Sequence, residues 1–155
     1  MDVKYINPFL KSFMTVMPQL GLTNLRRGKV TLKDSSIESS GVIIIIGIVG
    51  DIKGNVMYST SVDAAKKIAS TMMMGMPVTE LDEISQSAVS ELTNMLTANA
   101  ATNFAEEGLN IDISTPALMY GEFTASANYN KVICIEMYID DMPFEINVSL
   151  NVMQK

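Results

Sequence analysis

The predicted fold rests on one stretch of the chain, Val42-Ile-Ile-Ile-Ile-Gly47-Ile-Val-Gly50-Asp-Ile-Lys-Gly54-Asn-Val-Met-Tyr-Ser-Thr60. Residues 42–49 are apolar and mostly β-branched, which is typical of a strand that is covered on both faces. The glycine-punctuated segment 50–54 predicts a hairpin turn, and residues 55–60 predict the returning strand. An antiparallel pair of strands is therefore the starting point for the rest of the architecture.

Helical and strand patterns flank this hairpin on both sides in the sequence. Apolar residues at helical spacing predict a first helix over residues 5–20, and Ser61 is suited to cap a second helix. A third, longer helix is predicted over residues 79–104, opened by Thr79 together with Asp82. Further strands are predicted at residues 29–37, 109–113, 132–139 and 146–152, with a turn at residues 140–143.

This order of elements predicts an α+β fold, in which helices pack on one face of a mainly antiparallel sheet. No linker or low-complexity segment divides the chain, so residues 1–155 are expected to form a single domain. Hydrophobic residues make up 48% of the sequence and charged residues 18%, which is the balance of a globular protein rather than a disordered one.

Composition excludes several classes of function. The chain contains no histidine, which removes Ser-His-Asp and Cys-His triads, histidine general bases and most zinc sites. It has neither a glycine-rich phosphate loop with its lysine nor a dinucleotide-binding fingerprint. The net charge of −6 makes nucleic acids and anionic membranes unfavourable partners. Any catalysis must therefore use carboxylates, amides, hydroxyls or the chemistry of a partner.

Three features of the sequence predict a cytoplasmic protein. The first residues lack the charged and apolar regions of a signal peptide. The longest apolar run, residues 42–49, is far shorter than a membrane span. The single cysteine, Cys134, cannot form an internal disulfide, which fits a reducing compartment, and we interpret it as a small buried hydrophobe.

One polar pattern stands out within the third predicted helix, Ser87-x-x-x-Glu91-x-x-Asn94. At about 100° per residue, Ser87, Glu91, Asn94 and Ala98 form a single stripe along the helix. A carboxylate and a carboxamide thus lie one turn apart on a face that the helix does not need for its core. The apolar stripe is expected roughly a quarter circle away, at Ile84, Ala88, Leu92, Met95 and Leu96.

The ordered set of Ser87, Glu91 and Asn94, followed by Pro116, resembles the signature of the CheC/CheX/FliY family of phosphatases. This likeness covers nearly the whole chain and implies the CheC-like α+β fold. In CheC-type relatives the Glu-x-x-Asn pair occurs on two helices, but the helix predicted over residues 5–20 lacks it. A single site is therefore expected, which is the CheX pattern. The other segments that carry the resemblance are residues 47–59, 69–76 and 81–95.

The family resemblance implies a function in chemotaxis, the hydrolysis of the aspartyl phosphate of the response regulator CheY. By the same resemblance, Asn94 would hold the attacking water and Glu91 would pair with a lysine of the receiver domain. The protein would need no cofactor or metal of its own, because the Mg²⁺ belongs to the receiver domain. Ala98 occupies a position at which relatives often have glycine, and Ser87 and Pro116 complete the motif beside the partner.

The resemblance also implies a homodimer that forms by the joining of sheet edges. The alternating apolar and polar residues of the predicted strands 132–139 and 146–152 offer surfaces for such a contact.

Alternative interpretations remain for each of these features. Taken alone, Glu91 and Asn94 are a solvated polar face, and the chain is then a non-catalytic CheC-like binding or adaptor module. A phosphatase that acts on a receiver domain outside chemotaxis has the same sequence pattern. The methionines of residues 72–76 invite a metal or redox interpretation, but the absence of histidine favours adaptable packing in the core.

Overall fold

The computed structural model describes residues 3–33, 36–38, 41–121, 124–126 and 132–152. Within these ranges a short 3-10 turn at Val3–Tyr5 precedes the α-helices and strands. In chain order these are α1 (Asn7–Gln19), β1 (Leu25–Lys33), β2 (Ser36–Glu38), β3 (Gly41–Gly50), β4 (Ile52–Ser61), α2 (Val62–Met72), α3 (Glu83–Glu106), β5 (Ile111–Ile113), β6 (Ala117–Gly121), β7 (Thr124–Ser126), β8 (Val132–Ile139) and β9 (Met142–Val152).

Most of the described strands belong to one sheet of seven strands, in the spatial order β1-β8-β9-β4-β3-β5, with β6 also paired to β3. Every pairing is antiparallel. The hairpin predicted from residues 42–60 is confirmed as β3 and β4. Asp140 and Asp141 form the two-residue turn between β8 and β9, with φ values of 49° and 64°, as a type I′ turn requires. The predicted α+β fold is confirmed.

The larger hydrophobic core lies between the helices and one face of this sheet. Aromatic rings join the two layers, because Phe144 of β9 contacts Phe13 of α1 and Tyr58 of β4, with ring centroids 5.7 Å and 5.8 Å apart. On the opposite face, β2 pairs with β7 in a two-stranded ribbon, and Ile37 of β2 is buried against a smaller cluster. This second layer was not predicted, because strands of three residues carry almost no periodic signal.

The long helix α3 begins later than its sequence predicts. Asp82 caps it, since the Asp82 Oδ1 accepts a hydrogen bond of 2.9 Å from the Ser85 backbone N–H. The hydrogen bonds from Ser85 also hold the pKa of the Asp82 carboxyl below its usual value. Thr79 lies outside the helix, so the prediction that it shares in the opening was wrong. The helix ends at Glu106, and Gly108 follows it with a φ of 85°.

The buried face of α3 is rotated from the predicted apolar stripe. Ile84 was expected in the core, yet 69% of it is exposed. Hydroxyl and carboxamide groups replace aliphatic side chains on the buried face, so hydrophobicity alone misplaces the stripe. The buried residues are Ser85, Val89, Leu92, Thr93, Leu96, Thr97, Ala100, Asn103 and Phe104.

Two strand predictions need correction. The weak strand expected over residues 29–37 is in fact β1, which begins at Leu25, and the separate strand β2. The strands expected to supply a dimer edge, β8 and β9, lie inside the sheet. β8 pairs with both β1 and β9, and β9 pairs with both β8 and β4, so neither has a free edge. Among the described residues, no helix is long and apolar enough to cross a membrane.

One buried hydrogen bond ties α3 to the centre of the sheet. The hydroxyls of Tyr58 on β4 and Thr97 on α3 lie 2.8 Å apart, and both residues are buried. The Thr97 hydroxyl also donates to the Thr93 carbonyl at 2.7 Å, so Tyr58 acts as the donor to Thr97. Burial raises the pKa of Tyr58, which keeps the phenol neutral. This contact opposes a rotation of α3 about its axis.

We expect the Tyr58→Phe variant to lower the free energy of unfolding by about 1–2 kcal/mol, because the Thr97 oxygen then lacks a donor in a buried position. In a double-mutant cycle with Thr97→Val, the combined loss should be smaller than the sum of the single losses by about 0.5 kcal/mol or more. Urea denaturation of the four proteins measures both quantities. Strict additivity would show that the two hydroxyls do not interact.

Candidate functional site

An open depression of about 510 Å³ lies between α3 and the segment that joins β5 to β6. It contains Ser87, Glu91 and Asn94, which are close in sequence on α3, and Pro116, which follows β5. The remaining lining residues are Glu83, Gln86, Ser90, Thr115 and Leu118. The structure thus brings together four of the five residues that the sequence pattern singled out. Ala98 is exposed on α3 but does not line the depression.

The α3 side of the depression is rigid. Asp82 caps the start of α3, and the hydroxyl of Ser12 on α1 donates a hydrogen bond to the Leu96 carbonyl of α3. Near the other end, the Asn103 Nδ2 donates to the Pro8 carbonyl at 2.9 Å. The cap is local to α3, and the other two contacts anchor the buried face of α3 to α1. The stripe with Glu91 and Asn94 is the face that remains.

The other side of the depression is fixed to the sheet through Gly47 of β3. The Ser114 N–H donates to the Gly47 carbonyl at 2.9 Å, and the Gly47 N–H donates to the Ser114 Oγ at 2.7 Å. A Cβ at Gly47 would lie only 3.3 Å from that Oγ, so glycine suits this close approach. These two hydrogen bonds fix the position of the next residues, Thr115 and Pro116, relative to α3.

Two side chains in the depression have unused hydrogen-bonding capacity. Asn94 is half-buried, and within the described part of the chain its carboxamide makes no hydrogen bond. Glu91 is exposed, and the described residues provide it with no ion-pair partner. An amide can donate and accept at once without titrating, whereas a carboxylate accepts only. This pair can therefore orient a water molecule and bind a cationic group.

The electrostatics of the depression are one-sided. Glu83 and Glu91 are its charged lining residues, and none of the lining residues described here is a lysine or arginine. Two carboxylates repel a phosphate group by Coulomb's law, and no local cation offsets that repulsion. The described lining of the depression is thus poorly suited to hold a phosphate by itself.

The sequence pattern missed Glu83, Gln86 and Ser90, although all three precede or flank the motif at helical spacing. The Gln86 Nε2 donates to the Leu81 carbonyl at 2.8 Å, which fixes the orientation of this side chain at the rim. Spacing of three or four residues from Ser87 was the available signal for Glu83 and Ser90, whereas Gln86 is only the sequence neighbour of Ser87. Thr115 was detectable only as the neighbour of Pro116.

Other groups considered from the sequence lie outside this depression. Cys134 is fully buried, and burial raises its pKa to about 11, so the thiol is a structural residue as predicted. In the described ranges, no group of three or more Cys, Asp or Glu side chains is arranged to hold a metal ion. Met74 and Met76 are exposed, at 97% and 61%, so the expectation that this methionine cluster packs in the core was wrong for these two.

The chain is similar to known proteins in sequence and in fold. Residues 42–138 match the family described as "Chemotaxis phosphatase CheX". The chain is 28% identical over 152 residues to the CheY-P phosphatase CheX of Thermotoga maritima, and the match covers 97% of each protein.

Two solved structures illustrate the similarity of the fold. A CheC-like superfamily protein from Shewanella sp. PV-4 is 28% identical with a TM-score of 0.86, and the match covers 97% of this chain and 99% of that one. A CheX of Borrelia burgdorferi, solved as the CheX-CheY-BeF3-Mg²⁺ complex, has a TM-score of 0.77 at 23% identity, over 97% and 99% of the two chains.

Proposed function

Because this chain belongs to the chemotaxis phosphatase CheX family, we propose that it hydrolyses the aspartyl phosphate of a CheY-type response regulator at the Glu91–Asn94 face. Family membership makes the chain a response-regulator phosphatase, a hydrolase. One observation carries the assignment of the site. A carboxamide and a carboxylate that have no hydrogen-bond or ion-pair partner among the described residues lie one turn apart on α3, beside Pro116.

In the proposed reaction, Asn94 positions the water that attacks the phosphorus. The regulator provides the phosphoryl group, the leaving aspartate and the Mg²⁺, so that this chain needs no metal of its own. What remains for the enzyme is orientation, which is a main protein contribution in phosphoryl transfer. A carboxamide can accept a hydrogen bond from the water and donate one to a phosphoryl oxygen, and within the described residues no other hydrogen bond occupies the Asn94 carboxamide.

Glu91 is proposed to bind a lysine of the receiver domain and so to align the two proteins. It is exposed and has no ion-pair partner in the described residues, so it can form such a contact without breaking another. A charge-assisted hydrogen bond is stronger and more directional than a neutral one. The acidic character that disfavours free phosphate in the depression therefore favours a cationic partner surface.

A CheY-type partner implies that the enzyme works in the cytoplasm.

We also propose a homodimer with one Glu91–Asn94 site per subunit, joined through a sheet edge. Because β8 and β9 are interior strands, the proposed edge is β1, which is paired only to β8 among the described strands and exposes Val30 and Leu32 at 48% and 62%.

The Asn94→Ala variant should lose at least about a hundredfold in kcat for dephosphorylation of the regulator, because the water is no longer positioned. The fold should be retained, since Asn94 makes no contact in the core. The decay of phosphorylated regulator in stopped flow measures this rate. Asn99→Ala is the matched control, because Asn99 is half-buried on the same helix but outside the depression. Equal activity of Asn94→Ala and wild type would remove Asn94 from the mechanism.

Acetyl phosphate tests whether the regulator must supply the cations. We expect no acceleration of its hydrolysis by the wild-type protein, with or without added Mg²⁺, because the depression is acidic and has no lysine or arginine in the described lining. Colorimetric release of phosphate is the measurement. Turnover of acetyl phosphate without a regulator would contradict the proposed division of the chemistry. Failure to act on any phosphorylated regulator would favour the adaptor function.

The Glu91→Gln variant should raise the KM for the phosphorylated regulator by about tenfold and change kcat much less, because a charge-assisted contact contributes to docking. Glu106→Gln provides the control, since Glu106 lies at the far end of α3 and pairs with Lys11. In steady-state kinetics at two salt concentrations, the ratio of the KM of Glu91→Gln to the KM of wild type should be smaller at the higher concentration. Unchanged kinetics in Glu91→Gln would refute the docking role.

Sedimentation velocity tests the dimer. We expect wild type to sediment as a dimer at micromolar concentration and Leu32→Lys to dissociate it, because a charge on an edge strand opposes strand pairing. Met14→Lys is the control, since Met14 is an exposed methionine of α1 away from β1. A wild-type monomer at these concentrations would contradict the proposal.

A further inference from the structure

A second open groove, of about 570 Å³, lies between the end of α2 and the start of α3. We call it the methionine groove. Its apolar lining residues are Met72, Met73, Met74, Met76, Val78 and Ile84. Ile84, Met74 and Met76 are among the largest exposed apolar side chains described, at 69%, 97% and 61%. Clustered apolar exposure of this kind marks interaction sites in soluble proteins.

The backbone presents these methionines in a defined way. The Met73 N–H donates to the Ala69 carbonyl at 3.0 Å, and the Gly75 N–H donates to the Ser70 carbonyl at 2.8 Å. Met74 adopts a positive φ of 60°, which turns its side chain outward as the chain leaves α2. The exposure is therefore part of an ordered helix end. Methionine suits such a surface, because its flexible and polarizable side chain adapts to the shape of a partner.

The methionine groove is continuous with the Glu91–Asn94 face. Ile84 precedes Glu91 by seven residues on α3, which places the two side chains on the same face and roughly 10 Å apart along the axis. A stable partner covers about 800 Å² on each protein, equivalent to a disc of about 16 Å radius. A globular domain centred on Glu91 and Asn94 must then also cover Ile84.

Charge narrows the choice of partner. Glu80 and Asp82 line the rim of the groove, and Glu83 lies between it and the Glu91–Asn94 depression. Neither set of described lining residues contains a lysine or arginine. The two sites together form one acidic surface with an apolar pocket at its end. Its complement is a basic surface that carries a protruding apolar side chain.

We propose that the methionine groove is the second half of the docking surface for the phosphorylated regulator. It accepts an apolar side chain of the receiver domain, next to basic residues that face Glu80 and Asp82. This inference rests on the proposed function, because it assigns the occupant of the groove to the same regulator. The groove contributes to affinity together with Glu91, whereas Asn94 contributes to the reaction.

The test separates binding from hydrolysis. Isothermal titration calorimetry measures the Kd of the CheY-type regulator, held in its phosphorylated form by beryllofluoride and Mg²⁺, for Ile84→Ser and Met76→Ser. Both substitutions are at exposed positions, and circular dichroism verifies the fold. We expect each variant to raise the Kd about fivefold to tenfold, because apolar area is no longer buried. The matched control Met14→Ser, at a position 52% exposed on α1, should leave the Kd unchanged.

Stopped-flow measurements with the phosphorylated regulator complete the test. At saturating regulator, Ile84→Ser and Met76→Ser should retain the kcat of wild type, while Asn94→Ala should lose it. Tight binding by wild type with an unchanged Kd in both serine variants would overturn the role of the groove and leave the proposed phosphatase intact. No binding by wild type would overturn both. Loss of self-association in Ile84→Ser, with an unchanged Kd, would assign the groove to a second copy of this chain.

Discussion

The rotation of α3 about its own axis is the constraint on which the rest of the site depends. At about 100° per residue, a shift of the buried face by one position would bring Asn94 into the place of Thr93 and turn Leu92 out of the core. The hydrogen bond between Tyr58 and Thr97 opposes such a shift, because both hydroxyls would lose their partner in a buried place. A polar contact in the core thereby specifies which polar side chains stay outside it.

The limits of prediction from sequence follow from the same feature. Periodicity located the hairpin of β3 and β4 and the apolar faces of β8 and β9, because these strands are long and regular. It misplaced Ile84, because hydroxyls such as those of Thr93 and Thr97 occupy the buried face of α3. The order of strands in the sheet is not encoded locally, so an alternating pattern gave no sign that β8 and β9 are interior. The family resemblance, which depends on side-chain identity rather than hydrophobicity, is confirmed.

The depression illustrates how chemistry can be divided between two proteins. Within the described residues, Glu91 has no ion-pair partner and the Asn94 carboxamide makes no hydrogen bond, so neither would break such a contact when a regulator docks. An acidic site repels phosphate by Coulomb's law, which disfavours capture of the inorganic anion. In the proposed reaction, the partner brings the metal, the lysine and the phosphoryl group together. Such a site would be selective because it lacks groups that only the correct partner supplies, and not because its pocket fits tightly.

In the proposed complex, the methionine groove and the adjoining Glu91–Asn94 face meet two different requirements, recognition of the receiver domain and orientation of a water. In the proposed reaction, the orientation of a water requires a side chain fixed on a rigid element, and α3 is that element for Asn94. Recognition of a receiver domain requires area, and Met74 and Met76 provide it on a helix end whose side chains can adapt. Substitutions in the groove can then change the choice of regulator without displacing the reacting groups. Since Ile84 and Glu91 share one helix face, the two parts remain in fixed register whichever regulator binds.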